Sequence, residues 1–170
     1  MSKLLKKVYF DMLEVNNETS ILAATEAGLS WAGGFNEDCA DMENWFKKRI
    51  SDFTLEHNQE ILQPYKSQFI AYFEGELKNF DFPLDLHGTP FQLAVWKMLG
   101  NIPYGETRTY SDIADCIGNP KSIRAVGTAI GRNPVLIAVP CHRVINKNGG
   151  LGGFRGGLQL KQYLLDLEHN

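Results

Sequence analysis

Between Lys121 and Lys161 the chain has no aspartate and no glutamate, although Lys121, Arg124, Arg132, Arg143, Lys147, Arg155 and Lys161 all fall there. The 170-residue chain has a formal net charge of −3, so this +7 segment leaves −10 for the remainder. Such asymmetry suggests a surface that faces a polyanion, and a basic face with no partner is the alternative. Long apolar runs are also missing. None approaches the ~20 residues that a membrane-spanning helix needs. The opening MSKLLKKVYF lacks the apolar core and small-residue cleavage site of a secretory leader, so a cytoplasmic protein is expected. Cysteine is scarce: Cys39, Cys116 and Cys141 are an odd number without CxxC spacing. That argues against a disulfide framework and for reduced thiols. Cys39, His57 and His87 do not have the spacing of a four-ligand cage, so no metal and no cofactor are expected. Cys116 reads as a core residue of an apolar helix. No repeat or low-complexity tract interrupts the chain. With 44% hydrophobic and 22% charged residues it is a folded globular protein rather than a disordered one.

Two halves read differently. From residue 4 to about 55, short apolar stretches broken by polar and glycine clusters suit a small sheet. A helical pattern from about Asn58 to Asn79 follows, with Leu62, Phe69, Phe73 and Leu77 near helical spacing. PLDLHG then reads as a linker or short strand. The second half has clearer punctuation. Thr89-Pro90-Phe91-Gln92 combines a Thr cap, Pro at the first helical position and Gln three residues after the cap, for a helix to about Leu99. Thr109 with Asp112 makes a second capping box, for a helix ending at Gly118. Asn119-Pro120 then starts a third helix, to about Ile130. Two short helices joined through Gly-Asn-Pro suggest a helix-turn-helix. On the second of them Arg124 projects among the small residues Ala125, Gly127, Thr128 and Ala129. These let the backbone approach another surface closely, or pack tightly inside the protein.

VPCHRVI (139–145) carries the chemistry. The apolar run VLIAV (135–139) predicts a core strand, with Cys141 just past its end beside His142 and Arg143. A free thiol is only a few per cent ionised at neutral pH, so a nucleophilic cysteine needs a base or a positive field. His142 is the obvious base, but adjacent side chains on an extended chain point apart, which favours a proton path through water. The histidine needs a carboxylate to orient it, and 121–161 has none. Glu168 on a terminal helix (about Leu158 to Glu168, burying Leu164 and Leu167) is the first choice and Asp166 the second. Arg143 is either part of the site or a structural ion-pair residue. A hairpin is expected at Asn148-Gly149, and LGGFRGG suits a loop wrapped closely around a ligand. Cys-His-Glu alone would also suit a thiol hydrolase or acyltransferase.

GTPFQLAVW (88–96), IPYGETRTYSDIA (102–114), GNPKSIRAVGTAIGRNP (118–134), VPCHRVI and GGLGGFRGGLQLKQYLL (149–165) together resemble the O6-alkylguanine-DNA alkyltransferases, the methylated-DNA–protein-cysteine methyltransferases. The resemblance covers residues 87–168. It implies an α+β protein: a small N-terminal RNase-H-like lobe (1–85), then a mostly helical lobe (86–170) with a winged-helix-like helix-turn-helix. The implied partner is double-stranded DNA containing O6-alkylguanine, met by a monomer. The alkyl group, from O6-alkylguanine and also from O4-alkylthymine, would pass irreversibly to Cys141, after base flipping through the minor groove. By the same resemblance His142 works through water, Glu168 supports it, and Asn133 is the hinge of the active-site turn. Tyr110 assists flipping and protonates the departing guanine, and Arg124 fills the gap left in the duplex. Ser111, Asn119, Ala125, Gly127 and Lys147 would lie near DNA. Val144, Phe154 and Arg155 would border the base, with the Cys141 and Val144 carbonyls accepting from its amino group. Some members carry a small hydroxyl residue where Arg155 stands here. Alkyltransferase-like proteins, which bind the lesion without reacting, replace the cysteine that is present here.

Overall fold

The computed structural model describes residues 4–170, which form two compact units divided between His87 and Gly88. The first three residues of MSKLLKKVYF lie outside the described residues. In the first unit β1 (Lys6–Val15) and β2 (Glu18–Thr25) are antiparallel, joined by Asn16-Asn17, both at positive φ. Two such residues make the tight turn whose twist matches the flanking strands. β3 (Gly28–Ala32) pairs antiparallel with β2, and β4 (Phe53–His57) runs parallel to β1, giving the order β3-β2-β1-β4. Before β4 comes a helix that the sequence reading missed, α1 (Cys39–Lys47), capped by Asp38 and Asp41. Its Met42, Trp45 and Phe46 pack with Val8, Ile21, Ala23 and Trp31 into an apolar core. α2 (Gln59–Phe73) starts at an Asn58 cap, as its pattern suggests, but stops at Phe73 rather than Asn79. The chain turns at Gly75 (φ 76) and sends Phe80 and Phe82 back against Phe69. An aromatic cluster replaces the last turn of helix. Leu84 makes a single bridge to Leu29.

The second unit holds the helix-turn-helix. α3 (Pro90–Leu99) carries the Thr89/Gln92 capping box, and α4 (Tyr110–Cys116) carries Thr109/Asp112. α4 buries only Ile113 and Ala114, so Cys116 in its last turn is exposed and not part of the core. Gly118 (φ 76) turns the chain out of α4. α5 (Ile123–Gly131) begins four residues later than Asn119. The Asn119 carbonyl is taken by the Ser122 N–H at 3.0 Å and hydroxyl at 2.6 Å, which makes residues 119–122 a turn. Asn119 is therefore not at a helix start. α5 buries Val126, Ala129 and Ile130, and the Trp96 indole N–H donates to the Ala129 carbonyl at 2.8 Å.

VLIAV is not a strand. Residues 133–140 form a turn in which Val139 N–H donates to the Val135 carbonyl at 3.1 Å and Ile137 sits at φ 75. A buried β-branched residue in left-handed backbone is strained and persists only where its surroundings hold it. Cys141 then lies in a 3-10 turn, Cys141–Arg143, rather than on extended chain. β6 (Val144–Ile145) pairs in parallel with β5 (Arg108–Thr109), which brings the start of α4 beside the cysteine segment. The turn at Asn148-Gly149 closes through Asn146 N–H to the Gly150 carbonyl at 2.8 Å. No antiparallel strand pair flanks it, so it is a turn and not a β-hairpin. α6 (Leu158–His169) ends the unit. It buries Leu160, Lys161, Leu164, Leu165 and Glu168, while Leu167 is only half-buried.

Candidate active site

Cys141 is 4% exposed and borders a cavity of about 370 Å³, lined also by Tyr110, Ile123, Gly127, Ile130 and Phe154. Burial pushes its thiol above the usual range, opposed by a hydrogen bond with Asn133 and by the charges of Arg155 and Lys161. At neutral pH it rests as the thiol. Ionisation needs a base.

His142 is fully buried, and its Nε2 lies 2.8 Å from Glu168 Oε1. Nδ1 is buried with no hydrogen-bond partner. Burial lowers the pKa of His142, and the Glu168 hydrogen bond and charge oppose this. The imidazole is therefore neutral, with its proton on Nε2 facing the carboxylate and the Nδ1 lone pair free to accept. Arg143 takes the other side of the same carboxylate. Its Nε donates to Oε2 at 2.9 Å and Nη2 to Oε1 at 2.8 Å, while Nη1 reaches the Ile102 carbonyl at 2.6 Å. Arg143 is thus an ion-pair residue locked behind the histidine. Asp166 is exposed and bonded to Gln162, away from this group.

Asn133 anchors the turn before the cysteine. Its Nδ2 donates to the Val139 carbonyl at 2.8 Å and its Oδ1 accepts from Val135 N–H at 3.0 Å. Arg155 donates through Nε and Nη2 to the Asn133 carbonyl at 3.2 and 3.0 Å, so this guanidinium both lines the cavity and braces the turn. Tyr110 is half-buried. Burial raises its phenol above the ordinary range, Cys141 adds to that and a Gly153 backbone hydrogen bond opposes it, so it keeps its proton. A Cβ at Gly152 would stand 2.5 Å from Tyr110 Oη, and Gly152 also has φ 71. Only glycine permits that approach.

Val144 does not border the cavity. Its side chain is buried, and its carbonyl accepts from Lys161 Nζ at 2.7 Å. The Cys141 carbonyl accepts from Val144 N–H, which leaves each oxygen one lone pair. Arg124, Ala125, Asn119 and Lys147 are exposed, and Ser111 and Gly127 are half-buried.

Lys161 was counted only as surface charge in the sequence, yet it is fully buried. Its ammonium donates to the carbonyls of Val144, Leu151 and Gly153, the last at 3.2 Å. Burial brings its pKa down to about 8. The lysine straps the loop bearing Gly152 and Gly153 to the chain just past Cys141.

These shifts set an expected pH dependence. Reaction of the Cys141 thiol with an electrophile should fall on the acid side below 6.5, the ordinary histidine value, because His142 is depressed beneath it. It should still be rising at pH 9, because the thiol is displaced upward from that value. Stability follows the histidine. Between its lowered folded pKa and 6.5 the unfolded chain binds more protons, so the fold weakens as pH falls through that window. Rates read by intact mass from pH 5 to 10 check this, and an acid limb centred above 6.5 would overturn it.

Among the described residues no group of three or more His, Cys, Asp or Glu side chains is placed to hold a metal ion. Nor is any helix there long and apolar enough to cross a membrane.

A buried thiol beside a Glu-held imidazole thus borders a cavity lined in part by the two helices of a helix-turn-helix, the architecture of a nucleic-acid-binding domain with a thiol at its pocket. Residues 90–170 match the family model for the 6-O-methylguanine DNA methyltransferase DNA-binding domain, and residues 13–86 match that for the same family's ribonuclease-like domain. The chain is 54% identical over 163 residues to the methylated-DNA–protein-cysteine methyltransferase of Methanosarcina mazei, covering 96% of this chain and 98% of that one. To the inducible methylated-DNA–protein-cysteine methyltransferase of Bacillus subtilis it is 47% identical over 161 residues, covering 95% and 90%. The crystal structure of Mycobacterium tuberculosis O6-methylguanine methyltransferase in complex with DNA aligns at TM-score 0.80 and 40% identity, over 95% of this chain and 92% of that one. The chain belongs to the 6-O-methylguanine DNA methyltransferase family.

Proposed function

We propose that this protein repairs DNA by moving the alkyl group of O6-alkylguanine, and of O4-alkylthymine, onto Sγ of its own Cys141. The observation that carries the reading is the buried Cys141 thiol bordering a cavity large enough for a base, next to an imidazole with Nε2 held and Nδ1 open. An alkylated base inside a duplex is out of reach, so the base leaves the stack and enters the cavity, at a cost of a few kcal/mol. Arg124, exposed at the first turn of α5, fills the vacated space from the minor groove. His142 Nδ1 takes the thiol proton through a water, and Glu168 stabilises the resulting imidazolium. Sγ then attacks the alkyl carbon, the carbon–O6 bond breaks, and its electron pair stays on the guanine. Tyr110, protonated at rest, donates to the departing base. The product is a thioether, which water does not cleave, so each molecule acts once. Ser111, Asn119 and Lys147 serve as phosphate contacts.

A thiol hydrolase would turn over and would leave the helix-turn-helix without a purpose. Intact mass after incubation with an O6-methylguanine duplex separates the two. One added methyl per protein supports repair, whereas several product molecules per protein overturn it.

Arg124→Ala should slow repair in duplex DNA by roughly 10- to 1000-fold, since the unfilled stack makes extrusion a few kcal/mol less favourable. Reaction with free O6-benzylguanine should be unchanged. Equal loss on both substrates would make Arg124 a residue of the fold.

A further inference from the structure

Ile123 opens α5 and is 43% exposed, yet it borders the same cavity as Cys141, which is only 4% exposed and so lies at its deeper side. Its helical stripe continues through Gly127 and Ile130, four and seven residues on, and both also line the cavity. Arg124 lies about 100° further round the same turn, on the neighbouring exposed stripe. The first turn of the helix therefore offers two different side chains to two different places. Ile130 is 4% exposed and already packed. Ile123 retains exposed aliphatic surface at the rim, which a ligand seated in the cavity would cover.

Resting on the function proposed above, the reacting carbon must come within about 3.5 Å of Sγ. The alkyl group then lies at the floor and the purine fills the outer part of the cavity. We infer that Ile123 is a substrate-binding residue, packing its side chain against the purine face at the rim. Unlike Arg124, it acts on the base and not on the duplex, so it serves a free base as well as one extruded from DNA.

Ile123→Ala removes that contact without opening the core. Saturation of Cys141 alkylation by free O6-benzylguanine, read by intact mass, should require about tenfold more substrate. The limiting rate and the melting temperature should match the parent, and Ile123→Val should restore most of the loss. An unchanged half-saturating concentration for the free base would overturn the assignment, whether or not duplex repair also slows. Slower duplex repair alone would place Ile123 against DNA. Failure of the parent protein to alkylate Cys141 at all would instead remove the underlying function.

Discussion

Glu168→Gln is expected to lower the unfolding free energy by about 3–5 kcal/mol, the usual cost of leaving a buried charge without its partner. The carboxylate is 6% exposed and neutralises Arg143, itself 7% exposed, while orienting His142. An amide keeps the shape and loses the charge. The Arg143 guanidinium would remain buried with only neutral groups for compensation, the amide oxygen, the Ile102 carbonyl and the Tyr104 ring. Urea titration measures the loss, and Asp166→Asn, at an exposed position on the same helix, should show none. Alkylation should also slow, because neutral glutamine stabilises an imidazolium poorly. Adding Arg143→Met to Glu168→Gln separates the two roles. With both charges gone stability should recover, while transfer stays slow and its acid limb moves. Full recovery of the rate would show that Glu168 serves the fold alone.

Cys141→Ser should abolish transfer, since a serine hydroxyl is a far weaker nucleophile at neutral pH. It should keep binding to duplex DNA, because the exposed basic side chains Arg124, Arg132 and Lys147 are untouched. In the parent protein, peptide mapping after reaction should find one methyl on the Cys141 peptide and none on Cys39 or Cys116. Cys116 is the stringent control, being an exposed thiol close to the same helix pair. A methyl on Cys116, or more than one per chain, would sink the assignment.

What could be read in the sequence was mostly local. Thr89/Gln92 and Thr109/Asp112 satisfy helix-end N–H groups within three residues, so pattern and structure coincide there. The choice of Glu168 over Asp166 agrees with the geometry around His142. VLIAV misled because a short apolar run looks the same whether it buries itself in a strand or a turn. Here the Asn133 side chain supplies the hydrogen bonds that a ladder would have made, and no residue pattern announces that. Lys161 was missed for a different reason. It lies seven residues before Glu168, two helical turns away on the same face of α6, so a carboxylate turned inward implied an inward lysine as well. Cys116 was placed in the core from the apolar character of its neighbours, though the last turn of a short helix buries little.

The grip of Lys161 on Leu151 and Gly153 is made through their carbonyls, and every amino acid has one. The loop beside Cys141 is therefore tied by its main chain. Apart from Arg155, which braces Asn133, and glycines such as Gly152 whose backbone leaves no room for a Cβ, its side chains are released from the duty of holding it. Leu151 can then be exchanged freely while the strap survives, so related chains can diverge in this loop and retune the cavity without loosening it, provided the lysine stays.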